Sequence, residues 1–272
     1  MQRLYVTKKG CYGLGILGII LLLAVIGPSL SAYESDAIQL ALNNRAPSWE
    51  FWFGSDDLGR DLFARTWKGA RISLFIGVTA AFIDLCIGMV WGGVAALFGR
   101  SVDEVLMRVA DILYALPYLL IVILLMVVLD QGLFTMILAL TVTGWITMAR
   151  IVRGQLLQLK EQEYVLAAQG LGASKGRILF KHLLPNATVP ILTTLTLTIP
   201  TAIFTEAFLS FLGLGVRAPI ASLGSMASDG LPALEYYPWR ALFPLAVISV
   251  TMLAFNMIGE GIKQESDDYT RR

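Results

Sequence analysis

A helix that crosses a bilayer needs about 20 consecutive, mostly apolar residues, and this sequence supplies six such blocks. They lie at about 11–30, 69–98, 102–129, 133–152, 187–212 and 239–262. Charged residues make up only 15% of the chain against 56% apolar, whereas an ordinary soluble domain is about a quarter charged. The expectation is an all-α integral membrane protein with six transmembrane helices. The first block follows Arg3, Lys8 and Lys9, and Ser29-Leu30-Ser31 loosely resembles a small-residue cleavage site. A signal peptide would have an apolar core of about 7–15 residues. This run is about as long as a full span, so it reads as an uncleaved helix.

Composition narrows the function. A net charge of +1 argues against nucleic acid, whose binders carry a large basic excess. Cys11 and Cys86 both sit inside apolar blocks and form no disulfide framework. With a single histidine, His182, no His/Cys metal cage is available. No nucleophile–base pair or metal set falls within the spans, so neither catalytic nor metal-binding residues are expected and an intramembrane enzyme is disfavoured. A stand-alone secondary transporter or channel is disfavoured too, because no paired inverted repeat is visible and few charges lie inside the spans for ion coupling.

Placing the N-terminus in the cytoplasm puts about fourteen Lys and Arg inside and about seven outside, the sense of the positive-inside rule. The inside set includes Arg3, Arg100, Arg108, Arg150, Arg153, Lys160, Lys175, Arg177, Lys181, Arg271 and Arg272; the outside set includes Arg45, Arg60, Arg65, Lys68, Arg71, Arg217 and Arg240. Both termini are then cytoplasmic. The organisation becomes a first span with an external polar segment (1–68), a core of five spans (69–262) holding a cytoplasmic segment (160–185), and a cytoplasmic tail (263–272). Residues 213–238 are expected to form an external loop. Within 55–71, Leu58, Leu62, Phe63 and Trp67 recur at helical spacing and Asp61 can pair with Arg65 at i,i+4. This reads as an amphipathic interfacial elbow leading into the second span, with a contact for an external binding protein as the sharper alternative.

Ionisable residues inside spans are functional candidates by default. Asp84 is the most isolated, whereas Asp111 can be neutralised by Arg108 one turn earlier. Pro117 should bend the third span. Glu206, near the outer end of the fifth span, could reach water. Thr194, Thr198, Thr201 and Thr205 are spaced by four, three and four residues, so they share one helix face. Such a face can line a water-filled path or hold helices together.

The segment between the fourth and fifth spans is polar, basic and largely helical, and Ala167, Ala168, Gly172 and Gly176 give it a surface another protein can approach closely. Here a resemblance becomes specific. Ala167, Ala168, Gly172, Leu184 and Pro185 match the EAA loop of permease subunits from ATP-binding-cassette importers. Leu166 stands in place of the glutamate and His182 in place of the isoleucine. Those departures suit the dipeptide/oligopeptide/nickel branch, which Tyr164-Val165, Leu171-Gly172-Ala173-Ser174 and His182-Leu183-Leu184-Pro185-Asn186 also resemble. So do blocks 54–61, 69–74, 210–215 and 253–256, in the order of the shorter-loop partner of the permease pair. The tail departs, with Glu265-Ser266-Asp267-Asp268 where Leu-Asp-Pro is usual.

The resemblance implies a type I importer permease fold in a prokaryotic plasma membrane, paired with a paralogous permease, two cytoplasmic ATPase subunits and an extracytoplasmic binding protein. It also implies that 160–185 couples to the ATPase, through Glu163, Tyr164, Ala167, Ala168, Gly172, Ala173, Ser174, His182 and Pro185. No Gly-Lys-Ser/Thr phosphate loop occurs in the chain, so no cofactor is expected here; ATP and Mg would belong to the partners. Asp84, Thr194, Thr198, Thr201 and Thr205 are the expected translocation-path candidates. The cargo implied is a peptide, with nickel or a metal–chelator complex as the alternative.

Overall fold

The computed structural model describes residues 7–216 and 220–270, with side chains through Gln264 in the last helix. Arg3, Arg217, Arg271 and Arg272, counted above toward orientation, lie outside the described residues, as do the side chains of the tail at 265–268. The described residues form α1 (Lys8–Leu30), α2 (Leu62–Leu97), α3 (Arg100–Tyr114), α4 (Tyr118–Val128), α5 (Leu133–Lys160), α6 (Glu163–Gly170), α7 (Lys175–Arg177), a π turn (Ile178–Leu183), α8 (Thr188–Phe211), α9 (Leu223–Gly230) and α10 (Trp239–Thr270).

Five of these, α1, α2, α5, α8 and α10, are long and apolar enough to cross a membrane. The remaining expected span is two helices, α3 and α4, bent by 74° at the break between them. Pro117 is the cause: it has no N–H to donate and excludes the α conformation from the residue before it. Counting the bent pair as one crossing gives six.

The chain enters α2 abruptly. Asp61 is its N-cap, accepting from the amides of Phe63 (3.4 Å) and Ala64 (2.9 Å), which satisfies two of the donors a helix start leaves open. The expected elbow helix over 55–71 is therefore replaced by a turn closed by a Ser55–Asp61 bridge and followed by one continuous helix from Leu62. The expected Asp61–Arg65 pair is not made either. With its carboxylate committed to the cap, Asp61 leaves Arg65 to Asp56 (3.6 Å) and Asp36 (3.4 Å). Leu62, Phe63 and Trp67 are buried rather than laid on lipid, Phe63 against Trp52 and Phe53 of the preceding loop and Trp67 against Gly27 of α1. At 1.5 Å per residue the 36 residues of α2 extend about 54 Å, well beyond a hydrocarbon core of about 30 Å.

α2 packs most extensively on α5. Cβ atoms built on Gly88 and Gly92 would fall 2.6 Å from Met148 Cβ and 2.4 Å from the Ala149 carbonyl, so these backbones meet without side chains between them, as in other small-residue membrane interfaces. α3 is fastened to α5 by ion pairs. Arg153 reaches both carboxylate oxygens of Asp103, and Arg150 meets Asp111 at 2.7 Å while stacking over the Tyr114 ring at 4.1 Å. Asp111 is thus neutralised by Arg150 across the helix interface, not by Arg108 in its own helix.

The starts of α1 and α8 and the ends of α2, α5 and α10 gather at one pole with α6, α7 and the π turn. Gly10 abuts Gly261 there, Lys160 Nζ donates to Ala96 O (3.3 Å), and Leu179 lies beside Gly93. The opposite pole holds residues 31–61 and 213–238. The latter segment is not merely a loop, because α9 tucks back against α8 and α10, burying Leu223 and Met226.

Candidate translocation cavity and coupling surface

The segment at the first pole is a helix stop followed at once by a helix start. α6 ends in a paired closure: Gly172 N–H donates to Gln169 O (2.9 Å) and Ala173 N–H to Ala168 O (3.0 Å). That six-to-one arrangement requires a left-handed residue at its turn, and Gly172 has φ +81°. Ser174 then caps the next turn by accepting from Arg177 N–H (3.3 Å). The Leu-Gly-Ala-Ser run is thereby a backbone instruction. Val165, fully buried, anchors α6 to Leu156, Ile178 and Leu183.

The outward side of the segment is apolar and uncovered. Leu171 is 90% exposed, and Tyr164, Leu166 and Phe180 are exposed as well. Glu163, Ala167, Gly172, Ser174 and Pro185 lie on the same exposed stretch, with Ala168, Ala173 and His182 half-buried. The His182 ring stands 6.4 Å from that of Tyr164, and Asn186 Nδ2 donates to His182 O (2.6 Å). No side chain lies within 4 Å of where a Gly172 Cβ would stand. Within this chain Gly172 is required by its backbone angle rather than by crowding.

The second feature is a cavity of about 690 Å³ between α2, the α3–α4 break, α5 and α8. Asp84, Thr194, Thr198 and Thr201 all line it; Thr205 does not, being buried one turn further on. Each threonine of the face donates to the carbonyl four residues back, from Thr194 to Pro190 O (2.8 Å) through Thr205 to Thr201 O (2.9 Å). Asp84, on α2, is 4% exposed, and its Oδ1 has no hydrogen-bond partner. α5 makes room for it: a Cβ on Gly144 would lie 2.4 Å from Asp84 Oδ2. Thr143, Gly144 and Thr147 on α5 and Tyr118 on α4 also line the cavity, and the sequence reading passed over them. Small and hydroxylated residues at 141–147 inside an otherwise apolar span were the available signal.

Glu206 departs from expectation. It is fully buried, accepting from Ser73 (2.8 Å) and Ser210 (2.9 Å) instead of reaching water. Ser73 Oγ in turn accepts from Leu223 N–H (3.2 Å), so this carboxyl ties α2, α8 and α9 together. Near it at the second pole, Asp56 accepts from the amides of Leu58 and Arg60 (both 2.9 Å) and from Arg60 Nε (2.6 Å). Arg240 joins the cluster through Asp57 (3.3 Å) and Asn44 (3.2 Å). Burial pushes the neighbouring Asp229 carboxyl up, with Arg65 opposing.

A bundle of membrane-crossing helices with an internal cavity and an exposed helical hairpin between two spans defines a multi-pass transport subunit. The profile of the family described as "binding-protein-dependent transport system inner membrane component" matches residues 85–267, and the chain belongs to that family. It is a permease component of an ATP-driven importer. Over its full 272 residues it is 58% identical to the oligopeptide transport system permease protein OppC of Bacillus subtilis (strain 168), covering 89% of that protein. It is 54% identical to the dipeptide transport system permease protein DppC of the same organism, covering 85% of it. Among solved structures, an inward-facing form of the MetNI methionine ABC transporter matches with a TM-score of 0.62 at 20% identity, over 72% of this chain and 93% of that one. At that identity the match speaks for the fold.

Proposed function

We propose that this chain forms half of the translocation path of a peptide importer, paired with a paralogous permease. The other partners in this reading are two ATPase subunits at the α6–π-turn pole and a binding protein at the opposite pole. The observation that carries it is full-length similarity to two peptide permeases, in a chain whose candidate coupling segment presents an apolar surface ready for a partner. Orientation with both termini in the cytoplasm is supported by the Lys/Arg asymmetry and by the start of α1 and the last turns of α10 sharing a pole with that segment. ATP and Mg belong, in this reading, to the ATPase subunits. The power stroke would be a rigid-body change between two states, driven by differential contacts at the coupling surface.

The test is reconstitution of the complete complex in vesicles with its binding protein. Uptake of labelled dialanine and trialanine, dependent on ATP and on the binding protein, is the expected result. Uptake of a nickel chelate with no peptide uptake would move the cargo assignment to the metal branch. Peptide uptake without ATP would overturn the importer reading itself.

A further inference from the structure

Two polar atoms in the cavity wall are unsatisfied. Asp84 Oδ1 on α2 and Thr143 Oγ1 on α5 are both buried without a hydrogen-bond partner, and both residues line the same space. Most buried polar atoms in proteins are hydrogen-bonded, and the exceptions call for an explanation. A buried carboxylate oxygen left unpaired is among the costlier ones. No lysine or arginine is among the described residues that line the cavity, so the chain offers Asp84 no cation of its own there. The packing maintains this arrangement: Gly144 keeps the space beside Asp84 Oδ2 clear, where any side chain would collide with the carboxylate.

We infer that Asp84, with Thr143, is the site in the translocation path that receives the α-ammonium group of the peptide. The inference rests on the peptide reading above and deepens it. An ammonium group carries three donors and a positive charge, so it suits the unpaired carboxylate through charge-assisted bonds and has donors to spare for a hydroxyl oxygen. A bare divalent cation of the hard class would ask for six or more oxygen ligands, and Asp84 is the only acidic side chain among the described lining residues. The rest of the wall suits a short peptide of varied sequence. Leu113, Leu116, Leu140 and Leu197 are apolar and uncharged, and about 690 Å³ falls within the range of pockets that enclose drug-sized molecules. A single charged anchor in a wall of uncharged leucines, threonines and tyrosines holds the feature common to all such peptides and leaves the side chains unread.

Two measurements on the reconstituted complex test this. Asp84→Asn keeps the size and removes the charge. It should lower trialanine uptake about tenfold while the ATPase is still retained on co-purification; Thr143→Val should lower uptake two- to threefold. Separately, in the wild-type complex, a tripeptide with a photoreactive amino-terminal leucine should label the α2 segment around Asp84, and one with the photoreactive leucine at the carboxyl terminus should not. Unchanged uptake in Asp84→Asn, or equal labelling by the two probes, overturns the inference while leaving the peptide reading standing. The labelling decides even where the variant assembles poorly. A wild type that imports neither dialanine nor trialanine takes down the peptide reading and this inference with it.

Discussion

Glu206 shows what a single residue can conceal. From its place along the span it looked close to water, yet α9 folds back over it and its oxygens serve Ser73 and Ser210. Each hydroxyl stranded in a buried site costs about 1–3 kcal/mol. Glu206→Leu should therefore lower the thermal midpoint of the detergent-solubilised complex by several degrees, whereas Glu206→Gln, which keeps an acceptor, should lower it much less. Differential scanning fluorimetry reads the comparison, and equal losses would refute the hydrogen-bond account. The error came from reading depth out of position: a sequence gives distance along a helix but not what returns to cover its end. Asp84 was more legible, because an isolated carboxylate in an apolar block stands out without any knowledge of neighbours. Thr143 and Gly144 were not, since their significance depends on facing Asp84 from another helix. Asp111 was half legible: the need for a cation was visible, but Arg108 and Arg150 could be told apart only once α3 lay against α5.

At the scale of elements, the hairpin of α6 and α7 separates backbone demand from partner demand. Gly172 sits at φ +81° with open space around its missing Cβ. Gly172→Ala should cost about 1–2 kcal/mol of local turn stability from the left-handed conformation alone, and Gly172→Asn less, because Asn visits that region more readily. If close approach to the ATPase is the residue's second duty, Asn will restore the turn and still fail to retain the ATPase on co-purification. Full retention in Gly172→Asn would show that the turn alone matters. Leu171-Gly172-Ala173-Ser174 was readable in advance because stop and start signals are local chemistry. The entry to α2 carried its signal as well, an Asp immediately before an apolar run. The apolar spacing of Leu58, Leu62, Phe63 and Trp67 obscured it: a protein-covered helix start and a lipid-facing elbow show the same periodicity. The Pro117 break is legible as a bend, because proline's effect is local, whereas its 74° angle is not.

For the whole molecule, the decisive test is topology. In a background in which Cys11 and Cys86 have been replaced, a cysteine at Asn44 should react with an impermeant maleimide from outside intact cells, and one at Lys175 should react only after permeabilisation. The reverse pattern would invert the assignment of the two poles. The number of spans was legible because hydrocarbon thickness imposes it; the cavity was not, because it exists only between four elements distant in sequence. One consequence of the fold is mechanical. α2 is a single unbroken rod whose last turns meet Leu179 of the π turn at Gly93 and Lys160 of α5 at Ala96, and whose start carries Asp61 and Arg65. Its tightest crossing with α5, at Gly92, is off-centre. At 1.5 Å per residue, about 8 Å of rod lies between it and Leu97 and about 45 Å between it and Leu62. Turning about that fulcrum, α2 would act as a lever of roughly sixfold advantage in displacement. A small shove at one end would become a wide sweep at the other, and labels at Lys68 and Phe98, about 36 and 9 Å from the fulcrum, should move in a ratio of about four.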